Sequence, residues 1–153
     1  MAPQDIKVTI VTLQPMIVAS VYAFGDSPEE EALQLLHAWA EPRNLMNDKK
    51  RKIFGFNNPP PSRPGQKYGY ELWLAVDPAT EPDKNVRVCL FKGGKYAVTR
   101  CKGARNISAT WASLFEWCKA NKHEIGTHQG LEQFVAGDDP ETMTLDLYCP
   151  ILA

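Results

Sequence analysis

The 153-residue chain reads as an α+β protein made from a duplicated unit. Two segments, Ser27–Ala40 and Asn106–Cys118, carry apolar residues at helical spacing, while the remaining apolar sequence is alternating, β-branched or aromatic. Written against itself at an offset of 78, the chain aligns both helices: Ala19 meets Ala97, Gly25 meets Gly103, Leu36 meets Leu114 and Trp39 meets Trp117. Identities at that offset are few, and the agreement in element order (strands, helix, strand, strand, twice) carries the reading. Half-repeats are expected at about residues 5–78 and 84–153 of a single domain. They would share one mainly antiparallel sheet, with both helices on one face, pseudo-two-fold symmetry and a ligand groove where the halves meet.

From the N-terminus, Val8 to Phe24 contains no charged residue, but Thr9, Thr12, Gln14, Pro15 and Ser20 make it too polar for a membrane span. Its β-branched content and the Gln14-Pro15 break predict two successive strands. Ser27-Pro28-Glu29-Glu30 is a helix start, with Ser27 as cap, Pro28 at the first helical position and Glu30 completing a capping box. Ala32, Leu35, Leu36, Trp39 and Ala40 then share a face, and Pro42 ends the helix. Asn57 to Gln66, with Pro59, Pro60, Pro61 and Pro64, is an extended, stiff surface loop. Tyr68–Val76 alternates cleanly as a strand, with Tyr70, Leu72 and Leu74 on one face and Glu71 and Trp73 on the other. Val86–Phe91 and Tyr96–Cys101 flank Gly93-Gly94, which predicts a hairpin turn. The second helix begins near Asn106 or Ser108 and buries Trp111, Leu114, Phe115 and Cys118. Strands Leu131–Val135 and Met143–Cys149, separated by the Gly137–Pro140 turn, finish the chain.

Composition narrows the function. Apolar residues make up 44% and charged residues 23%, and the net charge is −1. That balance argues against a nucleic-acid binder working by phosphate neutralisation. Met1–Asp5 has no basic region of a signal peptide, and Cys89, Cys101, Cys118 and Cys149 form no C-x-x-C pair. Reduced, buried thiols in a cytoplasmic protein are expected. His37, His123 and His128 stand at no metal-ligand spacing with the cysteines, and no metal or cofactor is expected. The basic run Lys49–Lys52 is brief, is offset by Glu29–Glu31 and reads as a solvated turn.

Two carboxylates stand out. Glu132 lies inside Leu131-Glu-Gln-Phe-Val135 and meets Phe54 at the 78 offset, so it takes what the first half treats as an aromatic core position. An isolated carboxylate among apolar groups is costly and is either exposed at an edge or kept for a function. Glu71 sits beside Tyr70 and Trp73, where one face is core and the other is either a solvent face or an aromatic pocket with an acidic floor. Aromatic rings attract organic cations by about 0.5–2 kcal/mol each. Tyr96 and Tyr148 can add wall.

These residues carry a resemblance. Ile53-Phe-Gly-Phe-Asn-Asn58, the Pro-rich loop, Tyr68-Gly-Tyr-Glu-Leu-Trp73, Gly93-Gly-Lys-Tyr-Ala-Val98, Trp111–Trp117, His128-Gln-Gly-Leu-Glu132 and Asp146-Leu-Tyr-Cys-Pro-Ile151 are similar, in order, to the GyrI-like small-molecule-binding domains. The resemblance implies a tandem βαββ fold whose central groove binds hydrophobic aromatic, often cationic, compounds. In AraC- and MerR-type multidrug-responsive regulators the domain senses drugs behind a DNA-binding module. Strand-like sequence from Ile6 onward predicts a stand-alone module with no direct DNA contact. The family's glutamate among tyrosines matches Glu132, with Tyr70, Tyr96 and Tyr148 as the tyrosines and Trp73, Trp111 and Glu71 as further lining. Gln133 stands where relatives often carry a second acid. Some stand-alone relatives resemble cyclopropanoid hydrolases, in which a pocket carboxylate would position or deprotonate water; that role would fall to Glu132 with Glu71 or a tyrosine. A protein-interaction role, like that of the gyrase-protecting type, is a third implication.

Overall fold

The computed structural model describes residues 6–46, 51–137 and 139–152. Its elements in chain order are β1 (Val8–Leu13), β2 (Met16–Gly25), α1 (Pro28–Ala40), β3 (Ile53–Asn57), β4 (Tyr68–Ala75), β5 (Arg87–Phe91), β6 (Gly94–Lys102), α2 (Ile107–Ala120), β7 (Leu131–Ala136) and β8 (Thr144–Pro150). Short 3-10 turns at Glu41–Arg43 and Ala104–Asn106 flank the helices. The fold is α+β, and every strand pair described is antiparallel.

The chain forms two compact units. The continuous unit, Met16–Phe91, holds β2, α1, β3, β4 and β5, with strand order β3-β4-β2-β5. Its helix lies against β2 and β4. The covered face is the one where Ala19, Val21, Ala23, Leu72 and Leu74 are at most 4% exposed; Tyr22 and Phe24, on the other face of β2, are 44% and 54% exposed. Ala32, Leu36, Trp39 and Ala40 supply the buried stripe of α1. Pro28 opens the helix and Pro42 falls in the turn that ends it, as the sequence predicts. Ser27 makes no side-chain cap bond, so the expected capping box is absent. Glu29 is instead engaged by the Tyr68 hydroxyl, at 2.8 and 2.7 Å from its two oxygens.

The discontinuous unit, Met1–Pro15 with Lys92–Ala153, holds β1, β6, α2, β7 and β8, with strand order β1-β6-β8-β7. α2 packs on β6 and β8 through Leu114 and Cys118, which meet Ala97, Cys101, Leu145, Leu147, Cys149 and Ile151. Phe115, expected in that stripe, is 43% exposed. It lies off the Leu114–Cys118 line and stacks on Trp111 with ring centroids 5.7 Å apart.

Two expectations are corrected. Gly93-Gly94 does not close a hairpin: β5 pairs with β2, whereas β6 pairs with β1 and β8. Gly93 has φ 80°, and any Cβ there would collide with the Leu13 carbonyl, so the turn chemistry serves a crossing between units. The units therefore exchange their edge strands relative to the sequence halves. The exchange preserves register: Ser20 faces Arg87 as Val98 faces Thr9.

The uniform offset of 78 is the second correction. In the continuous unit a row of cross-strand neighbours runs Phe54–Trp73–Ser20–Arg87. The matching row in the other unit is Leu131–Tyr148–Val98–Thr9. Trp73 therefore corresponds to Tyr148, Phe54 to Leu131, and Gly55 to Glu132, so Tyr70 does not correspond to Tyr148, nor Phe54 to Glu132. The physical reason is unequal connections: the stretch from Trp39 to Phe54 is one residue longer than that from Trp117 to Leu131, and Asn58–Lys67 between β3 and β4 is longer than Gly137–Met143 between β7 and β8. Of the basic run, Lys49 and Lys50 lie outside the described residues. Arg51 turns inward, donating to the Ala75 carbonyl at 3.0 Å and lying 3.9 Å from Asp77.

Candidate functional site

Strand period places the seven expected lining residues in separate settings. On the α2 side of β7, Glu132 shares a face with Phe134, because its cross-strand neighbour is the core residue Leu147. The Trp111 indole N–H on α2 donates to Glu132 Oε2 at 3.1 Å. Trp111 and the half-exposed Phe115 stack beside it. This is a carboxylate with an aromatic wall, neither fully buried nor fully exposed.

Tyr148 and Tyr96 lie on the opposite face of the same sheet. Leu131 and Gln133, one residue either side of Glu132, share that face. The Tyr148 hydroxyl donates to Gln133 Oε1 at 2.6 Å, and that of Tyr96 to the Gln129 carbonyl at 2.6 Å. The two rings meet edge to face at 5.6 Å, and His128 packs on Tyr96 at 5.0 Å. Burial pushes the Tyr96 phenol well above its ordinary value, and it raises Tyr148 too, with the Asp146 charge adding to it. The discontinuous unit therefore does not gather Glu132 with Tyr96 and Tyr148 on one surface.

In the continuous unit Tyr70 faces α1 with Leu72 and Leu74 and is 2% exposed. Its ring lies over Gly55: a Cβ there would stand 2.6 Å from the phenol Cζ and overlap the hydroxyl. Glu71 and Trp73 point the other way. Glu71, 5% exposed, is the most buried carboxylate among the described residues. Its Oε2 accepts from Ser20 Oγ at 2.7 Å and Trp73 Nε1 at 2.7 Å, with Arg87 Nη2 at 3.5 Å, while Oε1 accepts from Asn58 Nδ2 at 3.2 Å. Four donors replace the water that burial removes. The Trp73 ring is held between Phe56, edge-on at 4.8 Å, and Phe91 at 5.1 Å.

Ser20, Asn58, Arg87, Phe56 and Phe91 were not anticipated for this cluster. One local signal pointed to it: Glu71-Leu-Trp73 and Asp146-Leu-Tyr148 are the same acid–leucine–aromatic triplet and occupy corresponding positions in the two units. Among the described residues no group of His, Cys, Asp or Glu side chains is arranged to hold a metal ion, and no helix is long and apolar enough to cross a membrane.

The fold is shared with EcmrR in its DNA complex (13% identity, TM-score 0.72), where the match covers 95% of this chain and 57% of that one. A hydrolase from Listeria innocua matches at 15% identity and TM-score 0.72, over 95% of this chain and 92% of that one. SAV2435 bound to tetraphenylphosphonium matches at 14% identity and TM-score 0.63, over 96% and 94%. At these identities the likeness concerns the fold alone. No curated protein matches the sequence. Residues 6–152, however, match the GyrI-like small molecule binding domain from end to end, and the chain belongs to that family.

Proposed function

We propose that the chain binds hydrophobic, aromatic, often cationic small molecules, with Glu132 as the anionic contact and Trp111 as an aromatic wall. One observation supports this most directly: a partly exposed carboxylate touches an indole on the α2 side of β7, beside the exposed ring of Phe115. A delocalised cation gains there from both Coulomb attraction and the ring quadrupole. That SAV2435 binds tetraphenylphosphonium on the same fold makes that cation the natural probe. Tyr70, Tyr96, Tyr148, Trp73 and Glu71 remain proposed lining residues; Tyr70 lies on the helix-facing side of its own unit and the other four on the faces turned away from the helices.

The test is titration with tetraphenylphosphonium, read by tryptophan fluorescence and by thermal shift. At 100 times Kd the ligand should add about 2.7 kcal/mol, which is roughly 5–10 °C in Tm for a chain of this size. Glu132→Gln should weaken binding roughly fivefold, the weight of about 1 kcal/mol for a half-exposed ion pair. The neutral analogue triphenylphosphine oxide should bind both forms alike. Flat titrations with both probes would refute the reading, and equal losses for the neutral and charged probes would remove Glu132 from it. Ring opening by the same carboxylate predicts instead a water adduct of a cyclopropanoid that disappears in Glu132→Gln; an unchanged mass after incubation retires hydrolysis.

A further inference from the structure

We infer that β1 is a self-association edge, through which two copies of this chain pair antiparallel about a two-fold axis. The proposal is independent of the ligand reading. Among the described residues β1 is hydrogen-bonded to β6 alone, and it forms one end of its sheet. Its six residues, Val8-Thr-Ile-Val-Thr-Leu13, hold no charge, no proline and no glycine, and their register with β6 runs unbroken. Thr9, Ile10 and Thr12 are exposed, Ile10 by 40%. Natural edge strands are usually blunted by charge, proline or a bulge, because an open row of N–H and C=O groups templates another strand. Within its six residues β1 has none of these devices; the exposed Lys7 precedes it, and in a pair centred on Ile10 it falls opposite Leu13 of the second copy, away from the second Lys7.

The corresponding edge of the continuous unit shows what blunting looks like. β5 carries Arg87, whose side chain is 74% exposed, and is flanked by Lys84 and Lys92. A second β5 laid against it would bring like charges together. A second β1 would not, which is why the partner argued for is another copy of the same strand. Pairing centred on Ile10 sets Ile10 against its mate, Thr9 against Val11 and Val8 against Thr12. β-Branched cross-strand pairs are favourable, and antiparallel pairing about Ile10 keeps the α2-facing side chains of both copies on one face. The contact is isologous and uses up both β1 edges, so association stops at the dimer. Its small area predicts weak association, with a Kd on the order of 10–100 µM.

Sedimentation equilibrium of the full chain from roughly 5 to 500 µM should show a monomer–dimer equilibrium, as small interfaces give. Thr9→Lys, whose two copies would lie diagonally across the seam, should weaken it at least about tenfold by like-charge repulsion. Thr12→Lys, on the opposite face and beside Lys7 of the second copy, should weaken it less, and both should leave Tm within a few degrees. Leu90→Lys on β5, at a side chain 59% exposed, should leave it unchanged. In the unmodified chain, β1 amides should exchange more slowly at high protein concentration and β5 amides should not. A monomer throughout, a dimer indifferent to both β1 lysines, one lost in Leu90→Lys, or assembly beyond the dimer would each overturn the proposal.

Discussion

Glu71 and Asp146 occupy the same place in their units: within β4 and β8, opposite Tyr22 and Arg100 in matching register rows, two residues before an aromatic ring. The continuous unit has buried its acid, with Ser20, Trp73, Asn58 and Arg87 converging on it. In the discontinuous unit Asp146 keeps a 19% exposed side chain and one partner, the fork of Arg100 at 2.9 and 3.2 Å. One backbone position thus supports either a buried network or a surface ion pair, and the difference lies in the side chains that reach it from other strands. The largest expected effect tests this. Glu71→Ala strands the buried Ser20 hydroxyl and takes the charged acceptor from the part-buried bonds of Trp73 and Asn58, and should cost about 3 kcal/mol, roughly 6–12 °C in Tm. Asp146→Ala removes one ion pair whose arginine is exposed, and should cost about 1 kcal/mol or less. Denaturant midpoints of the two variants check it, and equal losses would mean that burial at the Glu71 position carries no energetic weight.

The helix-facing rows differ in the reverse sense. Gly55 in the continuous unit corresponds to Glu132 in the other, and Tyr70 to Leu145. Tyr70 fills the space above Gly55, whereas the shorter leucine coincides with a side chain at position 132. A carboxylate at this position is thus possible only in the unit that lacks the tyrosine. Gly55→Ala should destabilise by about 1–3 kcal/mol through overpacking. Combined with Tyr70→Leu, the same alanine should cost little, and the double-mutant cycle measures the coupling. Additive losses would show that the glycine is needed for its backbone and not for the ring above it.

Local pattern carried the elements far and the pairings less far. The strand break at Gln14-Pro15, both helices and the face alternation of β4 follow from period and from proline, which act within a few residues. Gly93-Gly94 has hairpin chemistry, yet the strands it joins find other partners, because pairing is decided by contacts that sequence spacing does not encode. Repeat alignment at constant offset was defeated by unequal loops, and that misplaced Glu132 onto Phe54. Glu71 was visible as an acid among aromatic residues. Its burial was not, since Ser20, Asn58 and Arg87 come from three distant segments.

The thiols give the mildest contrast between the units. Cys89 on β5 is partly exposed, whereas Cys101, Cys118 and Cys149 are buried in the discontinuous unit. Burial pushes the Cys149 thiol up to about 12 and raises Cys118, and it also raises Cys89, where Arg87 works against it. The folded state therefore holds these protons more tightly than the unfolded chain, in which a thiol has its ordinary value of 9.0. Their contribution to stability is complete below pH 9 and is lost as pH rises toward about 12, with Tyr96 and Tyr148 acting in the same direction. Ellman's reagent at pH 8 should accordingly titrate one of the four thiols in the native protein, more slowly than a free thiol, and none in Cys89→Ser. Above pH 9 the remaining three should become reactive together, at the rate of unfolding of the unit that buries them. Independent reaction of Cys118 or Cys149 at pH 8 would show that the α2–β8 contact opens locally, and that the discontinuous unit is the looser of the two.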